Sequence, residues 1–316
     1  MSLLPISIII PTLDRRDRLL RTVSSLLAQD VLPVEIIVID ASASPIESDV
    51  FGERLQLCKA VPTIRCLPSQ QRGAAAQRNQ GFAVATQPFV LFMDDDVDLE
   101  AGCISTLWET LHSDPRIGGC GAGIVNQHYH PPGRAMRWAY QLMGCPGTGS
   151  LAGRCCGPAL NFLPAIDSRP GDTVDWLNLC CTLYRREALP VPPLLPFFHG
   201  YSLMEDATLA LEVGRHWRLA VPAHARLYHD SRPANYKDLP YGRERMEVIN
   251  RWFVMRTVMG RNSLGWDMRQ VFLQVFMLML SLRTATGWRC FPAAVAGKLA
   301  GLGTVFFHSH KWLAYK

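Results

Sequence analysis

The sequence is poor in charged residues and lacks several patterns that define common protein classes. Charged residues make up 19% of its 316 residues and hydrophobic ones 48%, so the chain can form a sizeable core and is not of the disordered class. It contains no internal repeat and no low-complexity tract. Its length allows one large α/β domain with a tail, or two modest domains.

The ten cysteines form no Cys-x-x-Cys pair, which argues against a zinc cluster. Two adjacent pairs, Cys155–Cys156 and Cys180–Cys181, are poorly suited to disulfide formation. We therefore expect reduced thiols, several of them buried, in a cytosolic protein. A signal peptide is not indicated either, because the apolar segment Leu3–Ile10 has no basic segment before it and no small-residue cleavage site. It runs into Pro11 and is interpreted as the first strand.

Acidic and basic side chains are unevenly distributed along the chain. Residues 1–206 carry 16 Lys and Arg against 21 Asp and Glu, whereas residues 207–316 carry 16 against 6. A basic C-terminal third favours an anionic partner such as a membrane surface, a lipid phosphate or a nucleic acid, with a solvated basic face as the alternative. Because this part has no recognisable nucleic-acid-binding motif, we expect no nucleic-acid partner.

Short apolar runs alternate with helical patterns in the first hundred residues. The runs are Ile6–Ile10, Glu35–Asp40, Ile64–Leu67 and Phe89–Met93. Amphipathic spacing predicts helices over Asp14–Gln29 and Gly73–Thr86. Strand, helix, strand in repetition predicts a parallel sheet with a ligand crevice at the carboxyl ends of its strands. Later segments predict a strand over Asp175–Tyr184, a helix from Glu205, and a closing pair of strands over Arg218–Val221 and Ala225–His229.

Three adjacent carboxylates, Asp94, Asp95 and Asp96, follow the predicted buried strand Phe89–Met93. Their mutual repulsion requires a positive partner, and a hard divalent cation with oxygen ligands is the natural one. In a strand-like stretch Asp94 and Asp96 point the same way and could share a metal. An acidic surface turn is the alternative, but the position at the end of a buried strand favours the metal.

Other polar residues each have a functional and a structural interpretation. Asp40 could accept from a nucleobase or ribose, or fix a turn. Arg72 and Arg78 could clamp a phosphate, or be solvated helix residues. Asp206, beside Glu205, could be a general base, or could favour a helix start through the dipole. His229 could complete a metal site with Asp96, or be structural.

Six segments together resemble glycosyltransferase family 2, whose members have the nucleotide-sugar-binding GT-A fold. They follow the family's order over about residues 5–230: Ile6–Arg15, Ile36–Asp40, Arg72–Gly81, Phe89–Val97, Val174–Leu189 and Met204–His229. Phe89–Val97 (FVLFMDDDV) resembles the family's DXD strand, and Met204–His229 resembles its closing segment. The chain departs from the pattern at Leu13, where Tyr is frequent, and at Ala41, where Asp or Asn is frequent.

The resemblance implies a GT-A type, mostly parallel α/β sheet flanked by helices, with a catalytic domain over residues 1–235. Residues 1–100 would be the nucleotide-sugar half and residues 101–235 the acceptor half. Asp40 would bind the base, Asp95 would face the ribose, and either Arg72 or Arg78 would contact the nucleotide. The base pocket would be shaped by the first turn, that is Pro11, Thr12, Asp14 and Arg15.

The resemblance also implies the chemistry. Asp94 and Asp96 would hold Mn²⁺ or Mg²⁺ on the donor diphosphate, with His229 as a further ligand. Asp206 would be the catalytic base that activates the acceptor hydroxyl, so that one displacement inverts the anomeric carbon.

Residues 236–316 are predicted to form a basic, apolar, helical C-terminal region. Val271–Leu282 is apolar but only roughly 20 Å long as a helix, short of the roughly 30 Å hydrocarbon core. Ala293–Phe307 is interrupted by Lys298 and by nearby Gly and Pro residues. Four tryptophans among Arg and Lys favour a helix lying in a membrane interface: Trp252, Trp266, Trp288 and Trp312. Packing on the catalytic domain or on a twin subunit is the alternative.

The sequence therefore predicts an inverting glycosyltransferase that uses a UDP-, GDP- or dTDP-sugar and a lipid-linked or cell-surface glycan acceptor. We expect it on the cytoplasmic face of the plasma or inner membrane, and a homodimer is left open. A nucleotide-binding scaffold without turnover is one alternative. A nucleotidyltransferase is another, although Pro11–Arg15 has no glycine where such enzymes usually carry a Gly-rich phosphate loop.

Overall fold

A computed structural model describes residues 3–56, 60–127, 129–166, 171–198, 200, 202–231, 239–308 and 312. The chain divides into two compact units. The sheet unit comprises residues 1–129 and 163–231, and the helical unit comprises residues 130–162 and 232–316. The sequence predicted a boundary near residue 235 and assigned residues 130–162 to the catalytic domain. In the structure these residues group with the C-terminal helices, because Arg251 and Arg261 donate to the backbone carbonyls of Ala159 and Gly157.

The strands of the described residues set the framework of both units. In chain order they are β1 (Leu4–Thr12), β2 (Pro33–Asp40), β3 (Thr63–Pro68), β4 (Phe89–Met93), β5 (Val97–Leu99), β6 (Ile117–Gly121), β7 (Gly123–Ile124), β8 (Cys155–Cys156), β9 (Leu160–Asn161), β10 (Cys181–Arg185), β11 (Arg218–Ala220) and β12 (Arg226–His229). Seven of them form one sheet in the order β11-β6-β10-β4-β1-β2-β3. The predicted mostly parallel α/β fold is confirmed, since β10 alone runs antiparallel to its neighbours in this sheet.

The position of each strand in the sheet explains its sequence. β1, β2 and β4 are nearly continuous in Ile, Val, Leu and Phe and are almost fully buried, as parallel strands covered on both faces must be. β3 lies at the edge and is only partly buried, in agreement with its mixed sequence TIRCLP. The predicted closing pair is not a pair: β11 joins β6 in the large sheet, whereas β12 lies between β5 and β7 in a three-stranded sheet.

The helices are, in chain order, α1 (Arg16–Leu27), α2 (Gly52–Gln56), α3 (Ala74–Val84), α4 (Cys103–Ser113), α5 (Arg134–Leu142), α6 (Glu205–Val213), α7 (Pro240–Phe253), α8 (Leu264–Ser281) and α9 (Ala285–His308). α1 packs through Leu19, Val23 and Leu26, the apolar stripe that the sequence predicted. α3 approaches β1 closely at Gly81, where an added Cβ would lie 2.4 Å from Cγ2 of Ile9. That close approach requires glycine and fixes α3 above the carboxyl ends of β1 and β2.

The helical unit buries several polar side chains among its apolar core residues, and it exposes large apolar ones. Gln270 and Gln274 of α8 and Lys298 of α9 are buried. Lys298 Nζ lies 2.6 Å from Glu244 Oε2 and donates to Gln274 Oε1 at 2.7 Å. The exposed side of α8 carries large apolar residues: Leu264, Met268, Val271, Phe272, Val275, Met277 and Met279. Among the described residues one helix, α9, is apolar and long enough over Ala285–Phe307 to cross a membrane, with a mean hydropathy of 1.5.

Two expectations about this unit need correction. Cys145 and Cys156 form a disulfide with their Cα atoms 5.2 Å apart, so the expectation of reduced thiols is wrong for this pair. Of the four tryptophans expected at an interface, Trp252 and Trp312 are buried against Phe306 and Phe253, whereas Trp288 is 64% exposed.

Candidate active site

The carboxyl ends of β1, β2 and β4 bring the predicted donor-side residues to one edge of the sheet. Thr12 ends β1 and donates its hydroxyl to Asp95 Oδ2 at 2.6 Å. Asp40 ends β2 directly beside Thr12 in the strand register. Pro11 lies next to Ile39 in the same register and is buried. Parallel strands place these loops together because all their carboxyl ends meet at the same edge.

Asp40 fixes the loop that follows it. Its Oδ1 accepts from the backbone N–H of Ser42 at 2.8 Å, and its Oδ2 accepts from the N–H of Ile46 at 2.8 Å. The Ser42 hydroxyl in turn accepts from the N–H of Asp14 at 2.7 Å, where the backbone has a φ of +53°. The loops after β1 and β2 are therefore tied to each other, and the turn-forming interpretation of Asp40 is one of its roles.

Asp95 is buried, as is Asp96, whereas Asp94 is partly exposed. It accepts from Thr12, and Arg15 lies 3.1 Å from its Oδ1. Burial raises the pKa of Asp95 to about 6, although Thr12 and Arg15 act in the opposite direction. Arg15 also lies 2.9 Å from Asp96 Oδ2. This predicted donor-binding residue therefore forms ion pairs with two aspartates.

Asp96 and His229 meet because β12 pairs antiparallel with β5, which places His229 opposite Val97. His229 Nε2 lies 3.1 Å from Asp96 Oδ1. The backbone N–H of Asp230 donates to the carbonyl of Asp96 at 2.9 Å, which fixes the two segments together. The predicted partnership of Asp96 and His229 is therefore a direct side-chain contact.

Asp94, Cys180 and His229 form a group that could hold a metal ion. Their ligand atoms, an oxygen, a sulfur and a nitrogen, all lie within 4.8 Å of one another. Cys180 Sγ is 3.8 Å from His229 Nδ1. The sequence predicted Asp94 and His229 as ligands but missed Cys180. No local signal in the sequence marks Cys180, because its place beside Asp94 depends on β10 running antiparallel to β4.

Arg78 joins the donor side to α6. Its guanidinium is buried and pairs with both Asp94 and Glu205. Burial alone would lower the pKa of Arg78, but the two carboxylates raise it, so the side chain stays a cation. Arg72, the other predicted nucleotide contact, is exposed on the loop before α3. The structure thus gives the two arginines different surroundings.

Asp206 follows Glu205 in the first turn of α6 and is partly exposed. Its Oδ1 accepts from the N–H of Ala207 at 2.7 Å. Burial raises the pKa of Asp206 to about 6, against the opposite effects of Ala207 and Arg78. Burial also raises the pKa of Glu205, to about 7, although Arg78 lowers it. A carboxylate whose pKa lies close to neutral pH can accept a proton from a hydroxyl group.

Comparison with known proteins agrees with this geometry. The sequence profile described as Glycosyl transferase family 2 matches residues 7–189, which is more than half of the chain. The chain belongs to glycosyltransferase family 2. It is accordingly a glycosyltransferase, and the predicted family and enzyme class are confirmed.

Two similar proteins add detail. A GalNAc(5)-diNAcBac-PP-undecaprenol beta-1,3-glucosyltransferase of Campylobacter jejuni subsp. jejuni serotype O:2 is 34% identical over 106 residues. That match covers 33% of this chain and 33% of the relative, so the chain matches only a third of the relative's length. A solved mannosyltransferase from Pyrobaculum calidifontis, in complex with GDP-Man and Mn²⁺, is 14% identical. It superposes with a TM-score of 0.54 over 100% of this chain and 82% of its own, which shows a common fold.

Proposed function

We propose that this glycosyltransferase moves a sugar from a nucleoside-diphosphate sugar to a hydroxyl acceptor, with inversion of the anomeric carbon. The observation that carries the proposal is the buried bridge from Asp94 through Arg78 to Glu205. It connects the carboxylates at the ends of the parallel strands with the helix that carries Asp206. Buried ion pairs thus connect the candidate metal ligand Asp94 with the helix that carries the candidate base.

On the donor side, the loops after β1 and β2 are proposed to hold the nucleoside. Asp40 and Thr12 end neighbouring strands, and the contact between Asp14 and Ser42 closes the space beside them. Exposed Arg72 is free to approach a phosphate, whereas Arg78 already neutralises two carboxylates. The similar mannosyltransferase was solved in complex with GDP-Man, and we extend a nucleotide-sugar donor of the UDP, GDP or dTDP type to this chain.

The residues present fit a divalent cation, for which Mn²⁺ and Mg²⁺ were predicted. Asp94, Asp96 and His229 would hold it, and Cys180 lies beside them, its sulfur within 4.8 Å of the Asp94 and His229 ligand atoms. When bound, such an ion supplies positive charge that stabilises the departing diphosphate. The ligand atoms of Asp94, Cys180 and His229 already lie within 4.8 Å of one another, which supports the fit.

On the acceptor side, Asp206 is proposed to take the proton of the attacking hydroxyl. The new bond joins that oxygen to the anomeric carbon, and the bond from the same carbon to the diphosphate oxygen breaks. The proton goes to Asp206, and the electron pair leaves with the nucleoside diphosphate. A single displacement of this kind inverts the carbon. The partial exposure of Asp206 and its pKa of about 6 suit this role.

A donor and product assay tests the proposed function. UDP-, GDP- and dTDP-sugars are screened by thermal shift with Mn²⁺, with Mg²⁺ and with chelator, on the wild-type chain and on Asp94→Ala. We expect one donor class to raise the melting temperature only with metal and only when Asp94 is present. Turnover should then release nucleoside diphosphate. Release of pyrophosphate would indicate a nucleotidyltransferase, and binding without any release would indicate a scaffold.

We further propose that the helical unit contacts a membrane and that the acceptor is lipid-linked. Two of the three buried residues of α8 are glutamines, whereas its exposed side carries large apolar residues, so a lipid surface is a suitable environment for that side. The basic residues Arg283 and Arg289 lie beside the exposed Trp288, a combination suited to anionic headgroups. The name of the C. jejuni relative includes PP-undecaprenol, which supports the lipid-linked acceptor, and the cytoplasmic face is part of the same proposal.

Charge placed on the apolar side of α8 should abolish this contact. We expect the double variant Val275→Glu, Met279→Glu to lose flotation with phosphatidylglycerol vesicles, because two carboxylates would be forced against anionic lipid. Asn262→Glu, which adds one carboxylate at an exposed position before α8, is the control and should float as the wild type does. Equal flotation of all three chains would contradict membrane contact through α8. A concentration-dependent change in mass without vesicles would instead assign this face to a second copy of the chain.

A further inference from the structure

We propose that the sheet unit carries a separate sugar-binding site, a cavity beside β11 in which a neutral saccharide stacks on Trp217. The site lies apart from the carboxylates that follow β4 and from the start of α6. The inference goes beyond the proposed function, because it concerns a ligand held at another place. It depends neither on the donor, nor on a metal ion, nor on Asp206.

The cavity lies between the end of α6, the start of β11 and residues 171–175, which precede β10. Its volume is about 530 Å³, within the roughly 300–1,000 Å³ that is typical of small-molecule sites. Residues 171–175 follow the edge of β11, because the N–H of Val174 donates to the carbonyl of Leu219 at 3.0 Å. The polar and aromatic side chains that line the cavity are Thr173, Asp175, Arg215, Trp217 and Arg218.

A glycine of β6 makes room for Trp217. The backbone N–H of Trp217 donates to the carbonyl of Val213 at 3.0 Å, which fixes the residue just after α6. A Cβ at Gly118 would lie 2.5 Å from Cβ of Trp217 and 2.6 Å from its Cγ, so glycine is required where the side chain packs on the strand. The side chain is partly exposed and lines the cavity. The indole is therefore held in place and still offers aromatic surface to a ligand.

The charges around the cavity are balanced, which favours a neutral ligand over an ionic one. Arg215 pairs with Glu212 at 2.7 Å, and Arg218 lies 3.5 Å from Asp114. Asp175 adds a further carboxylate to the lining. A phosphate or a nucleotide would compete with the first two carboxylates for the guanidinium groups and would be repelled by the third. A ligand without charge has neither disadvantage.

A saccharide matches this mixture of groups. Its hydroxyl groups both donate and accept hydrogen bonds, which suits the guanidinium donors, the Asp175 carboxylate and the Thr173 hydroxyl. The side chains of Arg215 and Arg218 are each 49% exposed, so N–H groups that do not face their carboxylates are accessible. A pyranose ring also has a face of apolar C–H groups, and an indole offers a large flat apolar surface for it. The ligand class is therefore a neutral pyranose, alone or within a glycan chain.

The strand directions separate the cavity from the proposed transfer site. β11 begins opposite Ile117, at the start of β6, whereas β6 ends beside the start of β10, at the edge where β4 ends. The start of β11 therefore lies at the other edge of the sheet from the adjacent aspartates. α6 connects the two places: its first turn carries Asp206, and Gly214 at its end lines the cavity. The two residues are roughly 12 Å apart along the helix axis.

Saturation-transfer NMR of the full chain tests the site without relying on turnover. The chelator-treated protein is titrated with the methyl glycosides of glucose, galactose, mannose, N-acetylglucosamine and N-acetylgalactosamine. We expect at least one of them to bind saturably to the wild type, and Mn²⁺ with an excess of UDP or GDP should not displace it. Trp217→Ala should weaken this binding by about tenfold, because the stacking surface is lost. Thr173→Trp, which fills the cavity from an exposed position, should weaken it at least as much.

Two matched controls make the same changes at exposed positions of the helical unit. Trp138→Ala and Thr148→Trp should bind the glycoside as the wild type does. Thr173→Trp decides the matter if Trp217→Ala fails to fold, because it removes nothing that packs in the core. The proposal is overturned if the wild type binds none of the glycosides, if Thr173→Trp binds as well as the wild type, or if nucleotide displaces the sugar. Such a result would leave the proposed function standing, since donor binding and diphosphate release are measured separately.

Discussion

Replacing Asp206 by asparagine is expected to slow sugar transfer by about 10³-fold, because general base catalysis contributes roughly 10²–10⁴-fold to such reactions. Asparagine keeps the size of the side chain and can still accept the hydrogen bond from Ala207 N–H, so the start of α6 should stay intact. The loss should appear in kcat, with little change in the affinity for the nucleotide sugar. Steady-state kinetics and donor binding by calorimetry on the same preparation measure the two quantities separately.

The pH profile gives an independent signature of the same base. Burial raises the pKa of Asp206 from 3.8 to about 6, so the carboxylate form is present above about pH 6 and is lost as the pH falls through that value. The kcat of the wild type should therefore decline below about pH 6, by about tenfold per pH unit. The residual activity of Asp206→Asn should lack this decline.

Glu212→Gln is the matched control, because it removes one carboxylate from the same helix, where Glu212 pairs with the exposed Arg215. Its kcat should equal that of the wild type. If Asp206→Asn retains more than about a tenth of the wild-type kcat, the base assignment is wrong, and Glu205 becomes the alternative, since burial raises its pKa to about 7.

The parallel half of the fold was predictable because its strands have unusual sequences. β1, β2 and β4 are buried on both faces and therefore appear as nearly continuous apolar runs, which the sequence alone identifies. The shorter strands carry no such signal. β11 has three residues and β12 has four, and nothing local distinguishes a strand that joins the main sheet from one that joins β5 and β7.

The candidate site was predictable where a residue ends a recognisable strand. Thr12, Asp40 and the three adjacent aspartates were placed at one edge by topology alone, and the structure brings them there. Cys180 was missed because its position beside Asp94 depends on the direction of β10 relative to β4, which is a property of the sheet and not of the segment. Asp96 and His229 show the opposite case, in which a proposed partnership turned out to be a direct contact.

The helical unit shows why hydropathy alone misjudged the C-terminal region. The sequence treated Lys298 and nearby Gly and Pro residues as interruptions, yet α9 runs as one helix from Ala285 through Pro292 to His308. Lys298 does not interrupt it because Glu244 and Gln274 pair with its ammonium group inside the unit. Long-range ion pairs of this kind cannot be recognised from a local window of sequence.

Replacing Arg78 by methionine should destabilise the chain strongly, while the same change at Arg72 should affect donor binding. Arg78 is the buried partner of both Asp94 and Glu205, and removing one side of such a network leaves uncompensated charge at a cost of about 3–5 kcal/mol. In a protein of this size that corresponds to a fall in melting temperature on the order of 10 °C. Arg72→Met, at an exposed position, should change stability by less than about 0.5 kcal/mol.

Calorimetric unfolding and donor titration of both variants show which arginine contacts the nucleotide. We expect Arg72→Met to weaken donor binding by about tenfold, the value of one charge-assisted hydrogen bond. A double variant with Glu205→Gln should be more stable than Arg78→Met alone, because glutamine removes one of the stranded carboxylates. Equal stability of Arg78→Met and the wild type, combined with lost donor affinity, would show instead that Arg78 leaves its carboxylates to bind the diphosphate. The ion pairs of Arg78 with Asp94 and Glu205 would then exist only in the donor-free state and would not be a permanent part of the fold.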